Sequence, residues 1–118
     1  MTSINNHIDY VELKSHDLEK TKVFYKSVFN WTFTDYGPTY CSFEDSGIYG
    51  GFETTNGPIV NGALIVLYHD DLEAIMAKVI HADGRISKDI FSFPGGRRFH
   101  FLDPSGNELA IWSDKEPK

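Results

Sequence analysis

The segment HDLEKTKVFYKSVFN (residues 16–30) has a counterpart half a chain later, HDDLEAIMAKVIHADG (residues 69–84), and their match decides the fold. In the first, Leu18, Phe24, Tyr25, Val28 and Phe29 fall mostly on one stripe of a helix. In the second, Leu72, Ile75, Met76, Val79 and Ile80 follow the i, i+3, i+4, i+7, i+8 spacing of an amphipathic helix. Asp70 with Glu73 reads as a capping box, and Gly84 as the stop. Superposing the shared Asp-Leu-Glu sets Asp17 on Asp71, about half the chain apart, which marks an internal duplication.

Each helix follows a β-prone run, HIDYVELK (residues 7–14) and GALIVLYH (residues 62–69). After each helix come three more. In the first half they are WTFTDY, TYCSFE and IYGGFE, separated by Gly-Pro and Asp-Ser-Gly turns. In the second they are RISKDIF, RRFHFL and ELAIW, separated by FPGG and DPSGN. The chain therefore reads as one α+β domain, residues 1–118, of two tandem β-α-β-β-β modules. The first spans about 6–53, the linker TTNGPIVN 54–61, and the second about 62–114. Neither half buries enough surface alone, so two curved sheets with helices outside are expected to enclose a cup.

Strand alternation assigns the faces. Val11 and Leu13 should face the first helix, leaving Ile8, Tyr10 and Glu12 on the open side. Ala63, Ile65 and Leu67 should face the second helix, leaving Leu64, Val66 and Tyr68. In the last hairpin, Arg98, His100, Ala110 and Trp112 share the open face. Arg97 points the other way, to the surface.

Composition narrows the function classes. The net charge is −6, and only Arg97–Arg98 are contiguous basic residues, so nucleic acid is not an expected partner. No apolar run is long enough to span a membrane. The N-terminal residues carry no secretory pattern. Cys41 is the single cysteine, so an internal disulfide is excluded; it is expected as a small buried side chain in a cytoplasmic protein. Aromatic residues make up 14% of the chain, enough to line a pocket as well as fill a core.

Asp17-Leu18-Glu19, Phe24-Tyr25, Phe29-Asn30-Trp31 and Asp103-Pro104-x-Gly106-Asn107, in this order within a doubled β-α-β-β-β unit, resemble the vicinal oxygen chelate superfamily. That group includes glyoxalase I, bleomycin and fosfomycin resistance proteins and extradiol dioxygenases. The resemblance covers about residues 6–114. It implies the glyoxalase/bleomycin resistance fold, frequent homodimerisation and, in metal-using members, a divalent cation held by His, Glu or Gln. The positions that the resemblance assigns to those donors are Tyr10 on the first strand, Leu64 in the second half, Ala110 on the last strand, and Gly50 or Gly51. Leucine, alanine and glycine offer no donor side chain, so no metal ligand and no cofactor is expected.

Glu12 and His100 are the polar residues best placed for chemistry, as acid–base groups in apolar surroundings or as a pair that shapes the cup and anchors a ligand. Arg98 suits an anionic ligand group or a solvated strand edge. Tyr10, Tyr40, Leu64, Tyr68, Ala110 and Trp112 are the expected walls of a small-molecule site. His16 and His69 stand at the two helix entries and read as capping or turn residues. His7 and His81 read as surface residues, and GPIVNG lacks the Lys-Ser or Lys-Thr of a phosphate loop. Three functions follow: a homodimeric binder of a small, partly apolar or aromatic molecule; a metal-independent enzyme acting through Glu12 and His100 on a small carbonyl compound; or a metal-dependent glyoxalase-like lyase or dioxygenase.

Overall fold

A computed structural model describes residues 3–118. The elements run β1 (Tyr10–Ser15), α1 (Leu18–Phe29), β2 (Thr32–Asp35), β3 (Tyr40–Glu44), β4 (Tyr49–Thr54), β5 (Ile65–Tyr68), α2 (Leu72–His81), β6 (Arg85–Phe93), β7 (Gly96–Leu102) and β8 (Glu108–Ser113). This is β-α-β-β-β used twice. The chain divides between Pro58 and Ile59 into two compact units, one for each repeat.

Both units have the same topology. The first sheet is ordered β1-β4-β3-β2 and the second β5-β8-β7-β6. In each, the first strand pairs parallel with the last, Tyr10 opposite Tyr49 and Ile65 opposite Leu109, and the other pairs are antiparallel. A parallel pair needs a crossover, which the helix and the two intervening strands supply.

The helix-side cores follow the apolar stripes. In the first unit Phe24, Tyr25 and Val28 of α1 are buried with Trp31, Cys41, Phe43 and Phe52. Tyr25 stacks on Trp31 at 4.8 Å between centroids, and Trp31 meets Phe43 at 4.7 Å. In the second, Leu72, Ile75 and Val79 of α2 are buried, as are Phe99, Phe101, Leu109 and Ile111. Ile80 is 52% exposed: eight residues on, the helical period has carried it off the buried stripe. Cys41 is fully buried, and burial pushes its thiol pKa up.

The helix ends differ from the expected pattern by one residue. The N-cap of α2 is Asp71, whose carboxylate accepts the Ala74 N–H at 3.2 Å, so Asp70 forms no capping box. Asp17 caps α1 in the same way through Lys20. At the end of α2, Asp83 takes the left-handed conformation (φ 71°) and Gly84 donates its N–H back to Val79, so the aspartate fills the role expected of the glycine. Aspartate enters that region more readily than most non-glycine residues because its short polar side chain can hydrogen-bond locally to the backbone. His69 accepts the Asp71 N–H on Nδ1 at 2.9 Å, as Ser15 Oγ accepts the Asp17 N–H at 3.0 Å in the first unit. The duplicate of His69 is therefore Ser15. His16 instead donates from Nε2 to the carbonyl of Gly57.

Arg97 is also corrected. It lies on the helix side of β7, where its guanidinium bonds both oxygens of Glu73 on α2 and the carbonyl of Lys115. Its side chain is 13% exposed, because the ion pair covers it.

Two outcomes test these assignments. Asp71→Ala should cost about 1 kcal/mol by removing a cap, whereas Asp70→Ala should stay within about 0.5 kcal/mol, in urea melts of both variants. The Arg97 hydrogen bond holds the Glu73 carboxyl below its ordinary value. Its contribution is thus complete above the unfolded glutamate pKa of about 4.3 and is lost as pH falls through the lower folded value. Glu73→Gln should flatten that acid limb of the stability–pH curve.

Candidate functional site

On the first sheet, the side turned away from α1 begins with a tyrosine pair. The phenol oxygens of Tyr10 (β1) and Tyr40 (β3) are hydrogen-bonded to each other across β4. Gly51 makes this possible. A Cβ there would lie 2.2 Å from the Tyr40 hydroxyl and 2.5 Å from the Cys41 carbonyl oxygen. The same burial raises the Tyr40 pKa. Glu12 is not in apolar surroundings: its side chain is 41% exposed and ion-paired with Lys14, which also bonds Glu53.

Beside the pair lies a cavity of about 420 Å³ bordered by Tyr10, Tyr36 and Tyr49, with Ser42, Glu44 and Asp9 among its polar lining. The Glu44 carboxylate accepts from Thr34 at 2.8 Å and Ser42 at 3.0 Å, which fixes it against β2 and β3.

The corresponding side of the second sheet is built around Phe91. β6 carries register shifts between Ile86 and Lys88 and between Lys88 and Phe91. Each shift inserts one extra residue in β6 and switches which side chains face away from α2. Lys88 is opposite His100, Phe91 opposite Arg98, and Phe93 opposite Gly96. The Arg98 guanidinium lies 5.4 Å from the Phe91 centroid and 5.8 Å from that of Phe93, and Lys88 Nζ lies 5.1 Å over Phe91. The His100 ring is 6.0 Å from Phe91.

His100 is 7% exposed, and its Nδ1 bonds the Glu108 carboxylate at 2.9 Å. Since a carboxylate accepts, Nδ1 carries the hydrogen. Nε2 is buried and, like the buried Nε of Arg98, has no partner among the described residues. Next to His100 stands Ala110, fully buried, with Val66 on its other side. Trp112 pairs edge-to-face with Tyr68 at 5.2 Å. The Tyr68 hydroxyl donates to Asp114 at 2.7 Å, which raises the tyrosine pKa and lowers that of the aspartate. Leu64 precedes β5 and is exposed.

The profile of the Glyoxalase/Bleomycin resistance protein/Dioxygenase superfamily matches residues 7–111. The chain belongs to this superfamily. Solved structures with the same fold include a glyoxalase/bleomycin resistance protein/dioxygenase family enzyme from Burkholderia phytofirmans PsJN (TM-score 0.78, 16% identity, 89% of this chain and 96% of that one). Another is lactoylglutathione lyase from Agrobacterium tumefaciens (TM-score 0.71, 17% identity, 94% and 96%). A curated relative named "Putative glyoxylase CFP32", from Mycobacterium tuberculosis, is 27% identical over 88% of this chain and 44% of its own length. The chain thus spans less than half of that relative.

The superfamily's metal donors do not fit the residues present. At the positions that the resemblance assigns stand Tyr10, its phenol engaged by Tyr40; Gly50 or Gly51, the latter making room for the Tyr40 hydroxyl; Leu64, a hydrocarbon; and Ala110, a methyl group between Val66 and His100. Among the described residues, no three His, Cys, Asp or Glu side chains gather closely enough to hold a metal ion.

Glu108, Phe91, Phe93 and Lys88 were missed in the sequence. Glu108 is two residues before Ala110 and shares its face by simple alternation. The β6 residues were hidden by the register shifts. Tightness at Gly51 yields a direct expectation: Gly51→Ala should destabilise the chain by about 1–3 kcal/mol, as overpacking does, and Tyr40→Ala in the same chain should restore part of the loss in thermal melts.

Proposed function

We propose that this chain binds a small organic molecule with an apolar or aromatic body on the sheet faces turned away from its helices, without a divalent metal. The observation that supports this reading most directly is the cavity of about 420 Å³ walled by Tyr10, Tyr36 and Tyr49. Its size falls in the roughly 300–1,000 Å³ range of small-molecule sites. Tyrosines suit such a site, because each offers an apolar ring and a polar tip.

Pairing of two copies in the cytoplasm belongs to the same reading. Ile8, Leu64, Val66 and Tyr68 are exposed apolar or aromatic side chains on or beside the edge strands β1 and β5, where a second chain would cover them. No helix among the described residues is long and apolar enough to cross a membrane.

A second reading, metal-independent acid–base catalysis, is favoured by one contact. Glu108 fixes the His100 ring through Nδ1 and leaves Nε2 bare, the arrangement of an oriented general base. The partner of His100 in this chemistry is Glu108 rather than Glu12, which Lys14 neutralises. A metal-dependent lyase or dioxygenase reaction would need donors that the four positions do not offer.

Titration with 1-naphthol, followed by tyrosine and tryptophan fluorescence, tests the binding reading. Wild type should saturate, and Tyr10→Ala or Tyr49→Ala should weaken binding by roughly tenfold, the loss of one aromatic contact of 1–1.5 kcal/mol. Equal affinity in all three proteins would reject the site. For catalysis, hydroxyacetone incubated in D₂O with chelator should exchange its carbon-bound protons faster with wild type than with His100→Gln, by roughly 10²-fold or more. No difference would reject the acid–base role.

A further inference from the structure

We infer that β6 and β7 form a site for the anionic group, carboxylate or phosphate, of a small organic molecule. Arg98 and Lys88 would hold the charge, Phe91 and Phe93 would flank the molecule's body, and His100 Nε2 would accept a hydrogen bond from a hydroxyl or other donor elsewhere on the molecule. The inference deepens the proposed small-molecule binding by naming a ligand class for the second unit.

Three observations converge. The first is unmet polarity. His100 is more than nine-tenths buried, yet among the described residues its Nε2 has no partner, and neither does the buried Nε of Arg98. Buried polar atoms left unpaired are costly and uncommon, so two on one face call for an occupant. The second is charge. The chain carries a net charge of −6, but Arg98 and Lys88 face the same phenyl ring, with no ion pair to a described carboxylate.

Neighbouring Arg97 gives the contrast within one strand. Its Nε also lacks an acceptor, but its terminal nitrogens are engaged by Glu73 and by the Lys115 carbonyl. Arg98, one residue on and on the opposite face, has the same fork of donors and no acceptor for it among the described residues. A guanidinium within 5.4 and 5.8 Å of two phenyl centroids has that fork available for a planar anion.

The third is orientation. Glu108 holds the Nδ1 edge of His100, and Ser87 donates to the same carboxylate oxygen at 3.4 Å. The ring is therefore locked, with Nε2 on the edge away from that carboxylate. Ala110 is its register partner on β8 and sets only a methyl group beside the ring.

Benzoate, phenyl phosphate, benzyl alcohol and benzylamine are suitable probes, because they share a ring and differ in charge. Each is titrated into the full chain by NMR, with the histidine ring and arginine side-chain signals observed. Benzoate or phenyl phosphate should shift the Arg98 and His100 signals at millimolar concentration, and added salt should weaken the binding. Arg98→Leu should lower the affinity roughly tenfold or more, as loss of a charged hydrogen bond does. Arg98→Lys, which keeps the charge and loses the fork, should retain only part of it, and Lys88→Gln, at an exposed position, provides a variant that does not disturb folding and should also weaken it.

Preference between the two anions distinguishes carboxylate from phosphate. Binding of benzyl alcohol or benzylamine at these residues as tight as either anion would overturn the anion assignment and leave small-molecule binding intact. Anion affinity unchanged in both Arg98→Leu and Lys88→Gln would overturn it as well. Failure of all four probes to shift either signal would overturn it while naphthol binding at Tyr10 remained a separate result.

Discussion

Everything in this molecule depends on the parallel pairing of the first and last strand of each repeat, β1 with β4 and β5 with β8. Parallel neighbours cannot be joined by a tight turn. The chain must leave the sheet, run a helix along one face and return through two antiparallel strands. That single requirement places the helix, and with it the apolar core, on one side. The other side of each sheet is left to residues that contribute little to the helix-side core.

The two free faces have taken up different chemistry. On the first, Tyr10 and Tyr40 reach across β4 over Gly51, and tyrosines border a cavity with carboxylates among its lining. On the second, Phe91 gathers Arg98, Lys88 and His100, and Glu108 fixes the imidazole. The proposed function uses both faces for small molecules. The positions that the resemblance assigns to metal donors carry a phenol, a glycine and two hydrocarbon side chains.

The duplication, both helices and all eight strands were legible because they rest on short-range signals: apolar period, β-prone runs and turns rich in glycine and proline. The open-face assignments of β1, β5, β7 and β8 rest on alternation, which holds where strands are regular. It fails along β6, where the register shifts move Phe91 and Phe93 onto the face with Arg98 and His100. Hydrogen-bond partners were less legible still. Arg97 appeared to be a surface residue because its partner, Glu73, lies on a helix many residues earlier. Glu12 was expected in apolar surroundings, although strand alternation already sets Lys14, two residues on, on the same face, where it pairs with the carboxylate. The cap of α2 moved from Asp70 to Asp71, a difference that adjacent aspartates conceal.

The proposal that this chain uses the superfamily fold without its metal is open to one direct measurement. The purified protein is dialysed to equilibrium against Ni²⁺, Zn²⁺, Mn²⁺ and Fe²⁺ in turn, and bound metal is quantified per chain. The account predicts no stoichiometric, tight uptake of any of the four. One equivalent retained by wild type, and lost when Tyr10 or His100 is replaced by alanine, would contradict it.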